Sequence, residues 1–503
     1  MEDKLIRTEN GFTLNIDHKT LEALDEETNF LLRRKQSIIQ NYLSIQTSDL
    51  LKTVGDNGAY QKMVLIFFSL LGVIACFIAY ELPFIFFPAN FYCSDSSGNF
   101  TSCSETQACS NEFGFRVEHP KISLVSEFEI YCGNKGMETH SKSFIFFFAG
   151  IIVMVFSFLC DVIGRTAIFY ISWVICLAGC LLSYVASDLK SIVVGMGLSL
   201  AGIDLFYSIL FIYSNEVIGS SLRSIATGIV FAFYGLGGMI FVLVNVFIYN
   251  YKVNFLLELV FTGIIGCGFF LLCETPFFLY KKMKLKKLYN SLEYILKWNH
   301  DGEEREDKKR KLQEQLMLDD SDGGVIEHAR YVRIETCKKS KGSAKESIFK
   351  LVFTWKWMST LIFYTIVLAN IYLGYGLSLL IPGKLGIDNI YINGILMGGS
   401  EMLGYILSCF NAHRIKRKTL NILYVVNTFV ISGLLLSIQF FDLRVTFWGK
   451  VCETGLSVVL KLFIAVNFSL IFTYGAELFP TKIRGVVSTW KICSFALFYY
   501  CFS

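Results

Sequence analysis

Three ionisable side chains stand out inside long apolar runs: Asp204 in "LSLAGIDLFYSILFIY", Glu401 in "GILMGGSEMLGYILSCF" and Lys461 in "LSVVLKLFIAVNFSLIF". A charge at the centre of a bilayer costs about 2.5–3.5 kcal/mol on insertion scales, so such residues face an interior cavity or one another. Asp204 shares a helical face with Tyr207, Ser208 and Phe211. An acid beside aromatic rings can hold an organic cation through charge and cation–π contact. The competing expectation is that Glu401 or Asp204 pairs with Lys461 and leaves the interior nearly neutral. Tyr372, Tyr375, Phe233 and Tyr234 are further candidates to line a pocket.

These residues need helices to position them, and the composition supplies the helices. Hydrophobic residues make up 53% of the 503, and 47 are phenylalanine, a membrane-protein composition. About eleven apolar runs are long enough to cross a core of about 30 Å, at 62–87, 143–160, 166–186, 191–213, 224–247, 253–273, 357–381, 390–411, 419–440, 453–475 and 486–503. The expected class is therefore an all-α membrane protein.

Arg33, Arg34 and Lys35 lie in the polar segment 1–61 ahead of the first run, so that run is expected to act as its own insertion signal. Arg165, Arg223, the Lys281–Lys287 stretch, the cluster around Arg414 and Arg417, and Lys482 with Arg484 occupy alternate loops. By the positive-inside rule those loops and the N-terminus are cytoplasmic. The net charge of +4 reflects this bias, not a nucleic-acid surface.

The long loop 88–142 lies on the opposite side and holds Cys93, Cys103, Cys109 and Cys132. Four cysteines on an oxidising side suggest two disulfides, with three pairings open. "NFT" beginning at Asn99 is a glycosylation sequon in the same loop. Between the sixth and seventh runs, residues 277–355 form a charged linker. In it Leu285, Leu288, Tyr289, Leu292, Ile295 and Leu296 recur at helical spacing. That pattern predicts a short amphipathic helix on the membrane or the cytoplasmic face, and the mixed-charge stretch after it reads as a mobile linker.

The chain also repeats itself. "NEVIGSSLR" sets Glu216 before Arg223, and "AELFPTKIR" sets Glu477 before Arg484; "CDVIGR" with Asp161 and Arg165 is echoed by "AHRIKR". Equivalent loops about 250 residues apart indicate two six-helix halves, 62–276 and 356–503, joined by the linker.

With these features the sequence resembles the organic cation, organic anion and carnitine transporters of the major facilitator superfamily. "DLLKTVGDNGAYQK" (49–62), "SLVSEFEIYC" (123–132), "DVIGR", "ETPFFLY" (274–280), "YGLSL" (375–379) and "AELFPTKIR" carry the resemblance. It implies a fold of two six-helix bundles, with about eleven of twelve spans present, because the chain ends in "KICSFALFYYCFS" within the eleventh. That ending is expected to be a truncation. The resemblance also implies a gate in which Asp161, Arg165, Glu216, Arg223, Glu274, Glu477 and Arg484 form ion pairs near solvent, where each contributes below about 1 kcal/mol and is readily broken.

Several positions depart from the family pattern. Thr166 replaces a second basic residue, His413 and Lys416 stand where Asp and Gly are expected, Ser191 replaces an arginine, and Phe277 another. Leu403 and Tyr405 differ from the usual proline and the lysine of anion-preferring relatives, and the last-span charge selector aligns near uncharged Ala496 or Phe498.

The expected function is facilitative transport of small organic ions, cations or carnitine-like zwitterions, across the plasma membrane. A sugar or other nutrient porter of the same superfamily, or a degenerate non-transporting subunit, are the alternatives. No cofactor, metal site or enzymatic activity is expected, since six histidines show no H-E-x-x-H spacing and no Walker glycine loop occurs.

Overall fold

The computed structural model describes residues 49–94, 99–110, 114–134, 136–219, 222–282, 284–316, 355–380, 389–414, 417–441 and 446–478, together with a hairpin of Leu5–Arg7 and Thr13–Asn15. The eleventh run, Arg484 and the side chains of Tyr372 and Glu477 lie outside the described residues.

Six long helices form the first half: α1 (Ala59–Ile85), α2 (Gly136–Ile163), α3 (Arg165–Val185), α4 (Leu189–Val217), α5 (Arg223–Asn245) and α6 (Lys252–Gly266), the last extended by a 3₁₀ segment, Cys267–Leu271. Four follow in the second half: α7 (Trp355–Leu380), α8 (Ile390–Arg414), α9 (Arg417–Phe440) and α10 (Phe447–Leu478). Eight helices among the described residues are long and apolar enough to cross a membrane. Helix α8 is as long as the others, but it spends apolar character on Asn393, Ser400, Glu401 and Ser408, all of which it buries.

Local chemistry sets the helix ends. Gln61 reaches back to accept from the Gly58 N–H at 3.0 Å, which starts α1. Asp188 caps α4 by accepting from the Ser191 N–H at 2.9 Å. The same hydrogen bond holds the exposed Asp188 carboxyl below its ordinary range. Between α2 and α3 the chain turns at Gly164 with φ +123°, where a β-carbon would collide with the Glu274 carboxylate.

In the first half, α4 is the central element, packed by α2 and α3, while α1 packs on α5 and α6. In the second half α8 and α9 pack on α10. The halves meet chiefly along α5 and α8, with additional contact of α1 with α7 and of α5 with α10. The α5–α8 seam is close because it is built on glycine. A β-carbon at Gly235 would lie 2.6 Å from the Met402 backbone nitrogen, and one at Gly394 would lie 2.8 Å from the Val242 side chain.

The loop after α1 folds as a three-stranded antiparallel sheet. Strand β1 (Phe91–Ser94) lies between β2 (Phe100–Cys103) and β3 (Phe115–Val117). Disulfides join Cys93 to Cys103 and Cys109 to Cys132, with Cα atoms 5.8 and 5.7 Å apart. Rings of Phe91, Phe115 and Tyr131 pack beneath the sheet. Asn99 is exposed.

The amphipathic helix forms over Leu285–Asn299 and buries Leu288, Leu292, Ile295 and Leu296 against the bundle. Its last residue clamps the segment ahead of α1: the Asn299 amide donates to the Val54 and Gly55 carbonyls at 3.0 and 2.8 Å and accepts from the Tyr60 N–H at 2.9 Å. The stretch read as a mobile linker is in part ordered. Gly302–Leu316 is a helix, tied back by Lys309 to Glu293 at 3.1 Å and by fully buried Leu312. Its charges form ion pairs at helical spacing, Lys308 with Glu304 and Lys311 with Asp307, so a high charge content here does not mean a loose chain.

Candidate functional site

At the junction of the halves, Glu401 on α8 and Lys461 on α10 form an ion pair, Lys461 Nζ to Glu401 Oε2 at 3.3 Å, with side chains 0% and 1% exposed. Both are excluded from lipid and water by aromatic rings. Three tyrosines donate to the carboxylate: Tyr80 to Oε2 at 2.5 Å, and Tyr375 and Tyr405 to Oε1 at 2.6 and 2.8 Å. The ammonium lies 3.9 Å from the Tyr375 ring centroid and 5.8 Å from that of Tyr80. The cage draws on α1 and three helices of the second half. Charge and hydrogen-bond capacity are matched locally, as a buried ion requires.

Beside this pair lies an aromatic wall shared by both halves. Phe231 on α5 stacks on Tyr405 of α8 at 5.0 Å and meets Phe468 of α10 at 5.6 Å. Tyr207 on α4 stacks on Phe231 at 6.3 Å and meets Tyr234 edge-on at 5.9 Å. The Tyr207 hydroxyl is buried without a hydrogen-bond partner. Phe233, by contrast, is on the outer side of α5 and exposed.

Asp204 differs from Glu401 in its surroundings. No ion pair or hydrogen bond among the described residues reaches its carboxylate, and the side chain is partly accessible. From Ser191 to Val217, α4 has no exposed residue. Its partly accessible positions include Asp204, Tyr207, Ser208, Phe211 and Asn215, which recur at helical spacing. They lie on one face of the helix. Ser208 donates its hydroxyl to the Asp204 carbonyl at 2.7 Å, not to the carboxylate. At the end of the bundle that carries the disulfide-bonded loop, Phe84 packs against Phe241 at 5.5 Å and Tyr391 at 5.9 Å, joining α1 to α5 and α8.

The opposite end carries the loop cluster. Arg165 Nη2 donates to Glu216 at 2.9 Å and to Asp161 at 3.1 Å, and its guanidinium lies over Phe278 at 4.8 Å. Glu216 also accepts from the Thr275 hydroxyl at 2.5 Å. Glu274 caps the start of α3, accepting from the Arg165 N–H at 3.0 Å and from the Thr166 hydroxyl at 2.8 Å. Thr166, which stands where a second basic residue was expected, thus binds an acid of the cluster without adding charge. Arg223 donates to the Asn215 and Ile218 carbonyls at 2.6 and 3.3 Å.

One expectation needs correction in part. The Arg165–Glu216 pair is buried, with side chains 4% and 11% exposed, whereas Asp161, the other acid on Arg165, is 49% exposed. In addition, the described contacts of Asp161, Arg165, Glu216 and Glu274 all lie within the first half. Removing the buried partner Glu216 costs about 3–5 kcal/mol, whereas the half-exposed Asp161 stays at the surface-pair figure of about 1 kcal/mol or less.

Of the residues expected from sequence, the structure brings Glu401, Lys461 and Tyr375 together at the junction and sets Tyr207 against Tyr234, with Asp204 one turn before Tyr207 on α4. It missed Tyr80, whose only signal was position on the same face of α1 as Cys76, Phe77 and Phe84, all buried toward α5 and the second half. It also missed the acids Glu81 and Glu258, each 1% exposed.

Residues 141–497 match the family model of the Major Facilitator Superfamily. The chain is 25% identical over 383 residues to solute carrier family 22 member 16 of Xenopus laevis, covering 75% of this chain and 62% of that protein. It is 23% identical over 491 residues to an organic cation transporter protein of Drosophila melanogaster, covering 87% and 82%, and 26% identical over 299 residues to organic cation/carnitine transporter 2 of Rattus norvegicus, covering 56% and 46%. The chain thus spans about three-fifths of the length of the member 16 relative. Its fold is similar to that of the xylose transporter XylE from E. coli in a partially occluded inward-open conformation, with TM-score 0.57, 10% identity and coverage of 88% and 91% of the two chains. The chain belongs to the Major Facilitator Superfamily, as a multi-pass membrane protein similar to the solute carrier family 22 transporters.

Proposed function

We propose that the protein carries small organic cations or carnitine-like zwitterions across the plasma membrane by facilitative alternating access, with its N-terminus cytoplasmic. The observation that carries this reading is the contrast between two acids in one interior. Glu401 is neutralised by Lys461 and three tyrosine hydroxyls. Asp204 has no ion pair or hydrogen bond to its carboxylate among the described residues, and lies on the α4 face of Tyr207, whose ring meets Phe211 and Tyr234. Asp204 is therefore the acid of this interior without a cationic partner among the described residues, near ring faces suited to an ammonium group.

A zwitterion would be accommodated by the same arrangement. Its cationic end would meet Asp204, and its carboxylate would compete with Glu401 for Lys461, loosening the pair that joins α8 to α10. Such competition supplies the differential interaction that any ligand-driven change of state requires. In this reading the Arg165 cluster holds the loop end of the first half together, and Glu477 and Arg484 would form its counterpart in the second.

Relatives named as organic cation and cation/carnitine transporters support the substrate class. The sugar-transporter likeness rests on 10–12% identity and bears on the fold. Uptake of a labelled quaternary ammonium compound into vesicles containing the full chain tests the reading. Saturable uptake that is lost in Asp204→Asn supports it, and equal uptake by the two proteins, or uptake of neutral sugars instead, refutes it.

A further inference from the structure

The apolar span of α6 ends in Phe270 and Leu271, which are 68% and 41% exposed. The chain then turns through a short helix, Pro276–Lys281, into the amphipathic helix Leu285–Asn299. Lys281, Lys282, Lys284, Lys286 and Lys287 crowd this junction, and all are exposed. No ion pair among the described residues reaches any of them, and Lys282 rests over the Phe278 ring at 5.7 Å. The acids nearest in sequence are engaged elsewhere: Glu274 accepts from the Arg165 N–H and the Thr166 hydroxyl, and Glu293 pairs with Lys309 at 3.1 Å. The next helix behaves differently, since its Lys308 and Lys311 are paired with Glu304 and Asp307. The chain thus neutralises one group of lysines and leaves the other to an external partner.

Aromatic side chains set the level of this patch. Lys287, Tyr294 and Trp298 recur at helical spacing on one face of Leu285–Asn299. The Tyr294 hydroxyl donates to the Leu271 carbonyl at 3.3 Å, at the exposed end of the α6 span, and Trp298 is 40% exposed. Tyrosine and tryptophan concentrate where hydrocarbon meets water. The lysines therefore stand at headgroup depth, beside side chains suited to the acyl boundary.

We propose that Lys281, Lys282, Lys284, Lys286 and Lys287 form a docking surface for the headgroups of anionic membrane lipids in the leaflet at this end of the bundle. Their ammonium groups meet headgroup phosphate and carboxylate oxygens as point charges. A basic residue at an anionic surface contributes roughly fivefold in affinity, less as salt rises. The bound headgroups act on the helix that carries the surface. Its first turn holds Lys286 and Lys287, and its last residue, Asn299, clamps the Val54 and Gly55 carbonyls ahead of α1. Lipid held at one end of this helix thus steadies the clamp at the other. Binding stands on this surface alone, whereas naming the leaflet cytoplasmic rests on the orientation proposed above.

Native mass spectrometry of the full chain, carrying phosphatidylserine or phosphatidylcholine of the same acyl chains, tests the surface. The wild type should retain phosphatidylserine over phosphatidylcholine by at least about tenfold, and Lys286→Gln/Lys287→Gln should cut that preference by about fivefold or more. Lys308→Gln/Lys311→Gln removes as much charge from paired positions and should leave the preference unchanged. Soluble phosphoserine should not displace the lipid. Equal preference in wild type and Lys286→Gln/Lys287→Gln, the same loss in both double variants, or displacement by phosphoserine would overturn the proposal.

Discussion

Lys461 Nζ lies 3.3 Å from Glu401 Oε2 with neither side chain accessible to solvent, so a cation and an anion of the second half neutralise each other at its junction with the first. Removing one member strands the other in a medium that solvates it poorly. We expect Lys461→Met to destabilise the protein by about 3–5 kcal/mol and the double variant Glu401→Gln/Lys461→Met to recover most of that loss. Thermal unfolding of both in the same detergent checks this. A double variant no better than Lys461→Met would show that the pair is not coupled as described.

The seam between halves makes a geometric prediction. A β-carbon on Gly228 of α5 would lie 3.4 Å from the Cys409 β-carbon on α8, close to the spacing of bridged cysteines. Gly228→Cys should therefore form a disulfide with native Cys409 under mild oxidation. The bridge should arrest uptake and release it again on reduction. Crosslinking with undiminished uptake would mean that α5 and α8 do not move apart in the cycle.

Thr166 tests the loop cluster. Its hydroxyl donates to Glu274 at 2.8 Å, and Thr166→Val removes the donor while preserving shape. The expected cost is about 1–3 kcal/mol, read as a lowered melting temperature. Thr166→Ser should restore it. A Thr166→Val protein as stable as wild type would assign the hold on Glu274 to the backbone N–H groups alone.

Much of this architecture is legible in the sequence because span length is fixed by bilayer thickness. The apolar runs at 166–186 and 390–411, for example, are the helices Arg165–Val185 and Ile390–Arg414. What sequence left open is rotation and partnership. Either Asp204 or Glu401 could have matched Lys461, and only packing of α8 on α10 decides for Glu401. Glu81 and Glu258 sit within a turn or two of their helix ends, where an acid ordinarily reaches the headgroups; their burial depends on α1 and α6 facing inward there. Arg165 read as a surface residue because it follows a loop glycine, but the turn at Gly164 folds it beneath Phe278.

The central claim is that the carboxylate of Asp204, without an ion pair among the described residues, selects a cationic substrate group. Its most direct measurement is competition in uptake of a labelled quaternary ammonium compound by wild type and Asp204→Asn in proteoliposomes. The account predicts saturable wild-type uptake, inhibited by organic cations and zwitterions but not by organic anions or sugars, and reduced about tenfold or more in the variant, equivalent to at least about 1.4 kcal/mol. Inhibition by anions, or an Asp204→Asn protein with wild-type affinity for the cation, would contradict it.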